Sequence, residues 1–364
     1  MLDSMTSSLY DLSLSEWQAL CTSWGVPAFR AKQIIEWLYK RIPADVASMN
    51  NLPADLREKL ASEFRNLHQT ARLERVSGST RTHTKKLLLE LHDGQCVETV
   101  IIPAKERTTV CVSSQAGCAF QCAFCASGVL GLSRNLTQGE IIAQVIHALQ
   151  TIGGKPNNIV FMGIGEPFAN YDNVMGAIRI LNDGNALNIG ARHITISTCG
   201  VVPGIERFTE EGIQVELSVS LHAPTDKQRD RIMPVNRRWP LAELMTALRR
   251  YTETTNRAVT FEYTLIKGFN DRPEDAQNIV RLIGDSRLFR INLIPLSPVK
   301  EFDGEAPDDD VMEGFLSFLL KSGIHTTLRW SKGTDADAAC GQLRLKARRM
   351  GEDYGTTGLR DDSP

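Results

Sequence analysis

Cys118, Cys122 and Cys125 stand as C-x3-C-x2-C in the string CVSSQAGCAFQCAFC, and Cys111 lies seven residues before the first of them. Four thiols in one short stretch suggest a metal. Structural zinc usually takes four protein ligands offered as two separated pairs. A compact run of three thiolates suits a cubane iron–sulfur cluster instead, with the fourth iron left open. S-adenosylmethionine (SAM) can occupy such an iron, chelating it through its amino and carboxylate groups. Zinc with Cys111 as the fourth ligand is the competing reading of the same spacing. Phe124, directly before the third cysteine, either shields a cluster or packs the loop.

Further along, small and polar residues recur at the ends of apolar runs. NIVFMGIGEP puts Gly163, Gly165 and Glu166 after one run, HITISTC carries Ser197, and VELSVSLHAP carries Ser220 and His222. Taken singly, these read as a Gly-Pro turn, satisfied strand-end hydroxyls and a core histidine. Glycines also let a backbone approach a ligand closely. Cys340, in DADAACGQL, would by itself be a small buried cysteine, and Glu98, in VETVIIP, an exposed strand residue.

The elements that must position these residues show in the periodicity. Residues 13–66 read as helices: LSEWQALCTSWG ends at Gly25, FRAKQIIEWLYKR repeats apolar positions at helical spacing, and LPADLREKLASEF starts at a proline. Their basic edge comprises Arg30, Lys32, Lys40 and Arg41. THTKKLLLELHDGQCVETVIIP holds two β-like runs around Asp93-Gly94, a hairpin signal. From about residue 108 the runs TTVCVSS, NIVFMG, HITISTC, VELSVSL, AVTFEYTLI, FRINLIPL and HTTLRW are mostly separated by amphipathic helical stretches. The first stretch opens with Thr137 and Glu140 spaced as a capping box. Repeated β-then-α units predict an α/β fold with a parallel sheet, open or closed into a barrel, whose strand ends gather on one face. The expected organisation is a helical unit over 1–70, a β-hairpin extension over 71–107, a core barrel over 108–346 and a disordered polar tail over 347–364.

A chain of 364 residues, 42% hydrophobic and 23% charged, is that of an ordinary globular protein with room for a barrel and a small accessory unit. No apolar run approaches the ~20 residues needed to cross a bilayer, so no membrane partner is expected. MLDSMTSSLYDLSLSEW lacks the basic and apolar regions of a signal peptide. A cytoplasmic location is therefore expected, where clustered thiols mean metal or catalysis rather than disulfides. The net charge of −2 does not suggest a polyanion partner. Any such contact must come from local patches, such as Arg237–Arg238, Arg249–Arg250, or Arg344, Lys346, Arg348 and Arg349.

Together CVSSQAGCAFQCAFCASG, FMGIGEP, SVSLHAP, INLIP and DADAACGQL resemble the RlmN/Cfr family of radical SAM adenosine methyltransferases, over residues 28–346. The N-terminal helices also resemble that family's helix-hairpin-helix-like accessory domain. The resemblance implies a radical SAM partial (β/α)6-type TIM barrel. It implies a [4Fe-4S] cluster on Cys118, Cys122 and Cys125, and two molecules of SAM per turnover. Gly165, Glu166, Ser197, Ser220 and His222 would contact SAM. Cys340 would carry the methyl group, Cys111 would pair with it in a disulfide, and Glu98 would be the base that removes the adenine ring proton. The implied substrate is 23S rRNA, methylated at C2 of an adenosine, with tRNA as an additional candidate. A flavodoxin- or ferredoxin-type electron donor and a monomeric state go with it.

One departure stands out: the chain reads Leu296-Ser297-Pro298 where the family has Asn as a SAM contact. Ser297 offers one hydroxyl with shorter reach. Cys21, Cys96 and Cys199 match no family position and read as structural. The same motifs fit methylation at adenine C8, and a zinc-stabilised RNA-binding module without catalysis is the reading from another class.

Overall fold

Seven of the β-like runs become neighbouring parallel strands of one sheet. The computed structural model describes residues 7–129, 131–343 and 346–347. In chain order the strands are β1 (Ala71–Gly78), β2 (Lys85–Leu91), β3 (Gln95–Pro103), β4 (Thr108–Cys111), β5 (Gln115–Gly117), β6 (Leu132–Asn135) and β7 (Asn158–Phe161). They continue as β8 (Ile194–Thr198), β9 (Glu216–Ser220), β10 (Val259–Leu265), β11 (Phe289–Pro295), β12 (His325–Leu328) and β13 (Lys346–Ala347). The main sheet runs β1-β2-β3-β4-β7-β8-β9-β10-β11-β12, with β13 beside β3, while β5 and β6 form a small ribbon. All pairings from β4 to β12 along that path are parallel. This is the expected α/β partial barrel: six β-then-α units closed by a seventh strand.

The strand pattern separates a helix-facing side from a lumen. In β8, Ile194, Ile196 and Thr198 are buried while Thr195 and Ser197 are half-buried and line internal cavities. Period-2 alternation thus places the small polar residues inside the barrel. The helix Gln138–Ile152 carries the expected capping box between Thr137 and Glu140 and ends on Gly153 at φ 72°.

The hairpin forms as read. Gly94 turns at φ 82° and its N–H donates to the Leu91 carbonyl at 2.9 Å. β3 pairs antiparallel with β4, so the hairpin extends the barrel sheet and is not a separate module. Glu140, fully buried, accepts two hydrogen bonds from Arg134, whose Nε donates to Asp93 at the hairpin tip.

Of the N-terminal helices Leu14–Ser23, Phe29–Glu36, Ala54–Glu63 and Leu67–Thr70, the last packs on that same barrel helix. Asp11 makes the junction: its Oδ1 accepts from Gly139 N at 2.6 Å and its carbonyl from Gln138 Nε2 at 2.7 Å. Arg344, Arg348 and Arg349, and the tail from residue 348, lie outside the described residues. Ala347 pairs with Gln95, so it belongs to the sheet rather than to the tail.

Asp11 caps the barrel helix from outside it. Asp11→Ala is expected to lower stability by about 2 kcal/mol, the range for hydrogen bonds to a charged group. Urea unfolding at neutral pH measures it.

Candidate functional site

Two cavities meet inside the barrel, and the residues singled out above distribute between them. The first, of about 160 Å³, opens among the C-terminal ends of the parallel strands. It is lined by Cys118, Cys122 and Cys125, by Gly165 and Glu166, by Ser197, Ser220, His222 and Ser297, and by Cys340. The second, of about 600 Å³, runs along the lumen and contains Cys111 and again Cys340. Glu98 lines neither.

The three loop cysteines lie between β5 and β6. Gly117 holds the loop's entrance at φ 84°, where a Cβ would meet the Gly131 carbonyl oxygen at 2.0 Å. Ala123 N donates to the Ile232 carbonyl at 2.9 Å and Cys118 N to the Gly131 carbonyl at 3.0 Å. Burial pushes the Cys118 thiol up to about 12; burial, then Cys125 and Cys118, also raises Cys122 well above the usual thiol range. Such thiols favour a cationic partner that removes their protons. Among the described residues no three His, Cys, Asp or Glu side chains converge as ligands of one ion. Cys111 faces away from the loop: its thiol is pushed up to about 12 by burial, then by the neighbouring Cys340, and it receives a backbone N–H from Met162. It lines the second cavity and not the first.

GIGEP is fixed by close approach. Gly165 sits at φ 101°, and a Cβ there would meet the Gln115 Cβ at 2.5 Å. Gln115 Oε1 accepts from Glu166 N at 2.8 Å. The Glu166 carboxylate accepts from Phe168 N at 3.0 Å and Cys199 N at 2.7 Å, joining the segment after β7 to the end of β8. Burial raises its pKa against those hydrogen bonds. Gly163 and Gly165 therefore present main chain to the cavity, while Glu166 ties two strand ends together.

A buried arginine ties the next pair. The Arg229 guanidinium donates to the carbonyls of Cys199 (2.7 Å), Ser220 (3.0 Å) and Leu221 (3.2 Å). It thereby sets the strand ends that carry Ser220 and His222. His222 adopts φ 52°, its Nδ1 accepts from Thr264 N at 2.9 Å, and its ring meets Phe124 edge-on with centroids 4.7 Å apart. With Nδ1 accepting, the neutral ring carries its proton on Nε2. Burial, then Arg229, lowers its pKa to about 3.

Cys340 rides on a strap, residues 335–343, that crosses from the hairpin to the loop of the three cysteines. Asp335 accepts from Ser79 Oγ at 2.9 Å, the Asp337 carbonyl from Lys86 Nζ at 2.8 Å, and the Gly341 carbonyl from Ala126 N at 2.7 Å. The Leu343 carbonyl accepts from Ser127 Oγ at 2.7 Å. Cys340 is solvent-accessible yet ringed by protein, which raises its pKa; Arg329 acts in the opposite direction. Glu98 is buried on β3 behind the strap, with Lys86 Nζ 3.2 Å from its Oε1. Sequence reasoning missed Lys86, and also Glu262, whose buried Oε2 has no hydrogen-bond partner among the described residues while Oε1 receives Asn292 Nδ2 at 3.1 Å. An acid inside the apolar run AVTFEYTLI was the available signal for Glu262.

His222 sets a pH dependence. Below about pH 6.5 the unfolded chain takes a proton that the buried ring refuses, so stability falls as pH drops toward 3. By about pH 5 this amounts to about 2 kcal/mol. His222→Gln is expected to flatten the difference between urea unfolding at about pH 7 and about pH 5 by that amount; an unchanged slope would show that the ring charges freely.

Residues 112–283 match the radical SAM superfamily, and residues 7–65 match the ribosomal RNA large subunit methyltransferase N-terminal domain. A protein of Akkermansia muciniphila named "Probable dual-specificity RNA methyltransferase RlmN" is 45% identical over 90% of this chain and 92% of its own. One of the same name from Geobacillus kaustophilus is 45% identical over 94% of this chain and 93% of its own. The crystal structure of a radical SAM methyltransferase from Sphaerobacter thermophilus superposes with a TM-score of 0.89 at 44% identity, covering 93% of this chain and 99% of that one. With two domain models matching along it and relatives 45% identical over nearly its whole length, the chain belongs to the RlmN family of radical SAM RNA methyltransferases, enzymes that use a [4Fe-4S] cluster and SAM.

Proposed function

We propose that the protein methylates C2 of an adenosine in 23S rRNA, with tRNA as a second substrate, through an S-methylcysteine at Cys340. The observation that carries this is the position of Cys340 on the wall shared by two cavities, one holding the three loop thiols and the other Cys111. Cys118, Cys122 and Cys125 would hold the cluster, and Gly165, Glu166, Ser197, Ser220 and His222 would surround SAM. Ser297 stands on the same wall with one hydroxyl. Bound there, cluster and SAM supply a methyl group and a reductively generated carbon radical.

The chain's own residues do the rest. Cys340, as a thiolate, takes the methyl group at sulfur and presents it to a base unstacked from its RNA. Glu98 accepts the proton lost from the ring carbon. It lies behind the strap, so it reaches the base only when the strap shifts. Once the carbon carried on Cys340 is joined to the base, Cys111 attacks the Cys340 sulfur: the disulfide forms as the sulfur–carbon bond breaks, the electron pair goes to the carbon, and a proton there completes the methyl group of the released base. In this reading a flavodoxin- or ferredoxin-type partner reduces the enzyme, the N-terminal helices help grip RNA, and the protein works as a monomer in the cytoplasm.

Labelled SAM, rRNA fragments and tRNA test it directly. Wild type is expected to yield 2-methyladenosine in digests, and Cys340→Ala none. A Cys340→Ala protein that methylates at the wild-type rate sinks the carrier role, and 8-methyladenosine as sole product sinks the C2 assignment. Lys86 gives a separate prediction. Lys86→Met removes the ammonium beside a buried carboxylate and should cost about 3 kcal/mol of stability, with Glu98→Gln in the same background restoring much of it. A double-mutant cycle by urea unfolding checks the coupling.

A further inference from the structure

The second cavity is built differently from the first. Among its described lining residues there is no carboxylate, yet Arg107, Arg192, Arg329 and Lys332 all stand there exposed. None of the four forms an ion pair with a carboxylate among the described residues. Arg192 Nε donates to Gln214 Oε1 at 3.0 Å and Lys332 Nζ to the Pro103 carbonyl at 2.8 Å, contacts that orient the cations without neutralising them. In a chain of net charge −2, four cations around one acid-free cavity are a local reversal of sign. A low-dielectric cleft lined by one sign of charge concentrates the opposite sign.

Shape and chemistry narrow the occupant. Trp330 stands at the same cavity with 59% of its surface exposed, an indole face with no aromatic partner among the described ring pairs. Exposed aromatic faces interleaved with arginines suit unstacked bases joined by phosphates. The cavity runs from Arg107, Asn158 and Arg192, at the N-terminal ends of β4, β7 and β8, inward to Cys111 and Cys340. It reaches the carrier thiol from the side away from the cluster loop.

We propose that this cavity is the RNA side of the enzyme. The target nucleotide reaches Cys340 through the lumen, its flanking phosphates held by Arg107, Arg192, Arg329 and Lys332 and a base stacked on Trp330. The cluster-side cavity is left to SAM. The inference rests on the RNA-methylation reading above and adds the route and the residues that grip the substrate.

Fluorescence anisotropy tests it, with the cluster-loaded protein and a synthetic 23S rRNA hairpin. Trp330→Ala should weaken binding about 10-fold. The pair Arg107→Ser and Arg192→Ser should reduce the slope of log affinity against log salt by about 1 to 2, one phosphate contact per arginine. The pair Arg30→Ser and Lys32→Ser, on the N-terminal helices, is the comparison. If that pair lowers the slope while the cavity variants bind as wild type, the route is wrong although the RNA reading stands. If wild type neither binds nor methylates the hairpin or tRNA, both fall together. A photoreactive azidoadenosine at the target position supplies an independent readout. Crosslinks to the peptides of Trp330 or of Thr109–Cys111 are expected; crosslinks confined to Phe120 and Phe124 in the cluster loop overturn the proposal.

Discussion

The hydrogen bond from Ala126 N to the Gly341 carbonyl, 2.7 Å long, joins the cluster loop to the strap that carries Cys340. Much of the site depends on that junction. The loop residue is one past Cys125 and the strap residue is one past Cys340, so a single backbone contact sets how the two cysteines' segments lie against each other. Gly341 makes the approach possible: at φ 79°, a Cβ on it would come within 2.9 Å of the Phe124 carbonyl oxygen. The other ties of the strap, to Ser79, Lys86, Ser127 and Pro298, are also single hydrogen bonds. Each contributes about 1 kcal/mol net. Apart from Ala338, Ala339 and Leu343 the strap buries little apolar surface. A segment held by several weak ties keeps one register at rest and can still be displaced locally, which is what the proposed carrier role of Cys340 would require.

The barrel around it is rigid for the opposite reason. Arg229 and Glu166 act as clamps between successive strand ends, one donating to carbonyls and the other accepting from amides. Both are buried, and burial moves each toward its neutral form. Charged groups in such places persist because their hydrogen bonds replace water. The cost is tolerated where the exact position of a strand end matters, and here it matters to Ser197, Ser220 and His222. His222 belongs to the same scheme: a neutral ring accepting at Nδ1 leaves a single donor facing the cavity. The rest of the fold can tolerate variation that these ends cannot.

Much of this could be read before the structure, because the signals were local. The seven strand runs carry their own alternation, the Asp93-Gly94 turn and the Thr137–Glu140 box are short-range devices, and C-x3-C-x2-C is contiguous. What escaped were pairings across the chain. Lys86 beside Glu98 depends on the hairpin register, and the orphan oxygen of Glu262 depends on which face of β10 meets the lumen. The zinc alternative was open because spacing cannot say which way Cys111 points; β4 turns it toward Cys340. Charge misled most. Runs such as Arg237–Arg238 drew notice because they are adjacent in sequence, whereas Arg107, Arg192, Arg329 and Lys332 are far apart and meet only through the closure of the sheet.

In the proposed function that closure would let one thiol serve two chemistries. A radical generated beside the cluster must be kept from water and from the wrong atoms, which favours a small apolar chamber; the first cavity has that character, with Phe120, Phe124, Phe161 and Met233 on its walls. A polyanionic substrate needs the reverse, a wide cationic approach. One pocket with both properties would draw phosphate toward the cluster. Placing Cys340 in the dividing wall separates the two requirements, so that only the sulfur and what it carries is common to both sides. The partial barrel permits this because its lumen is long enough to have two ends, and the strap, entering from the hairpin side, supplies the partition.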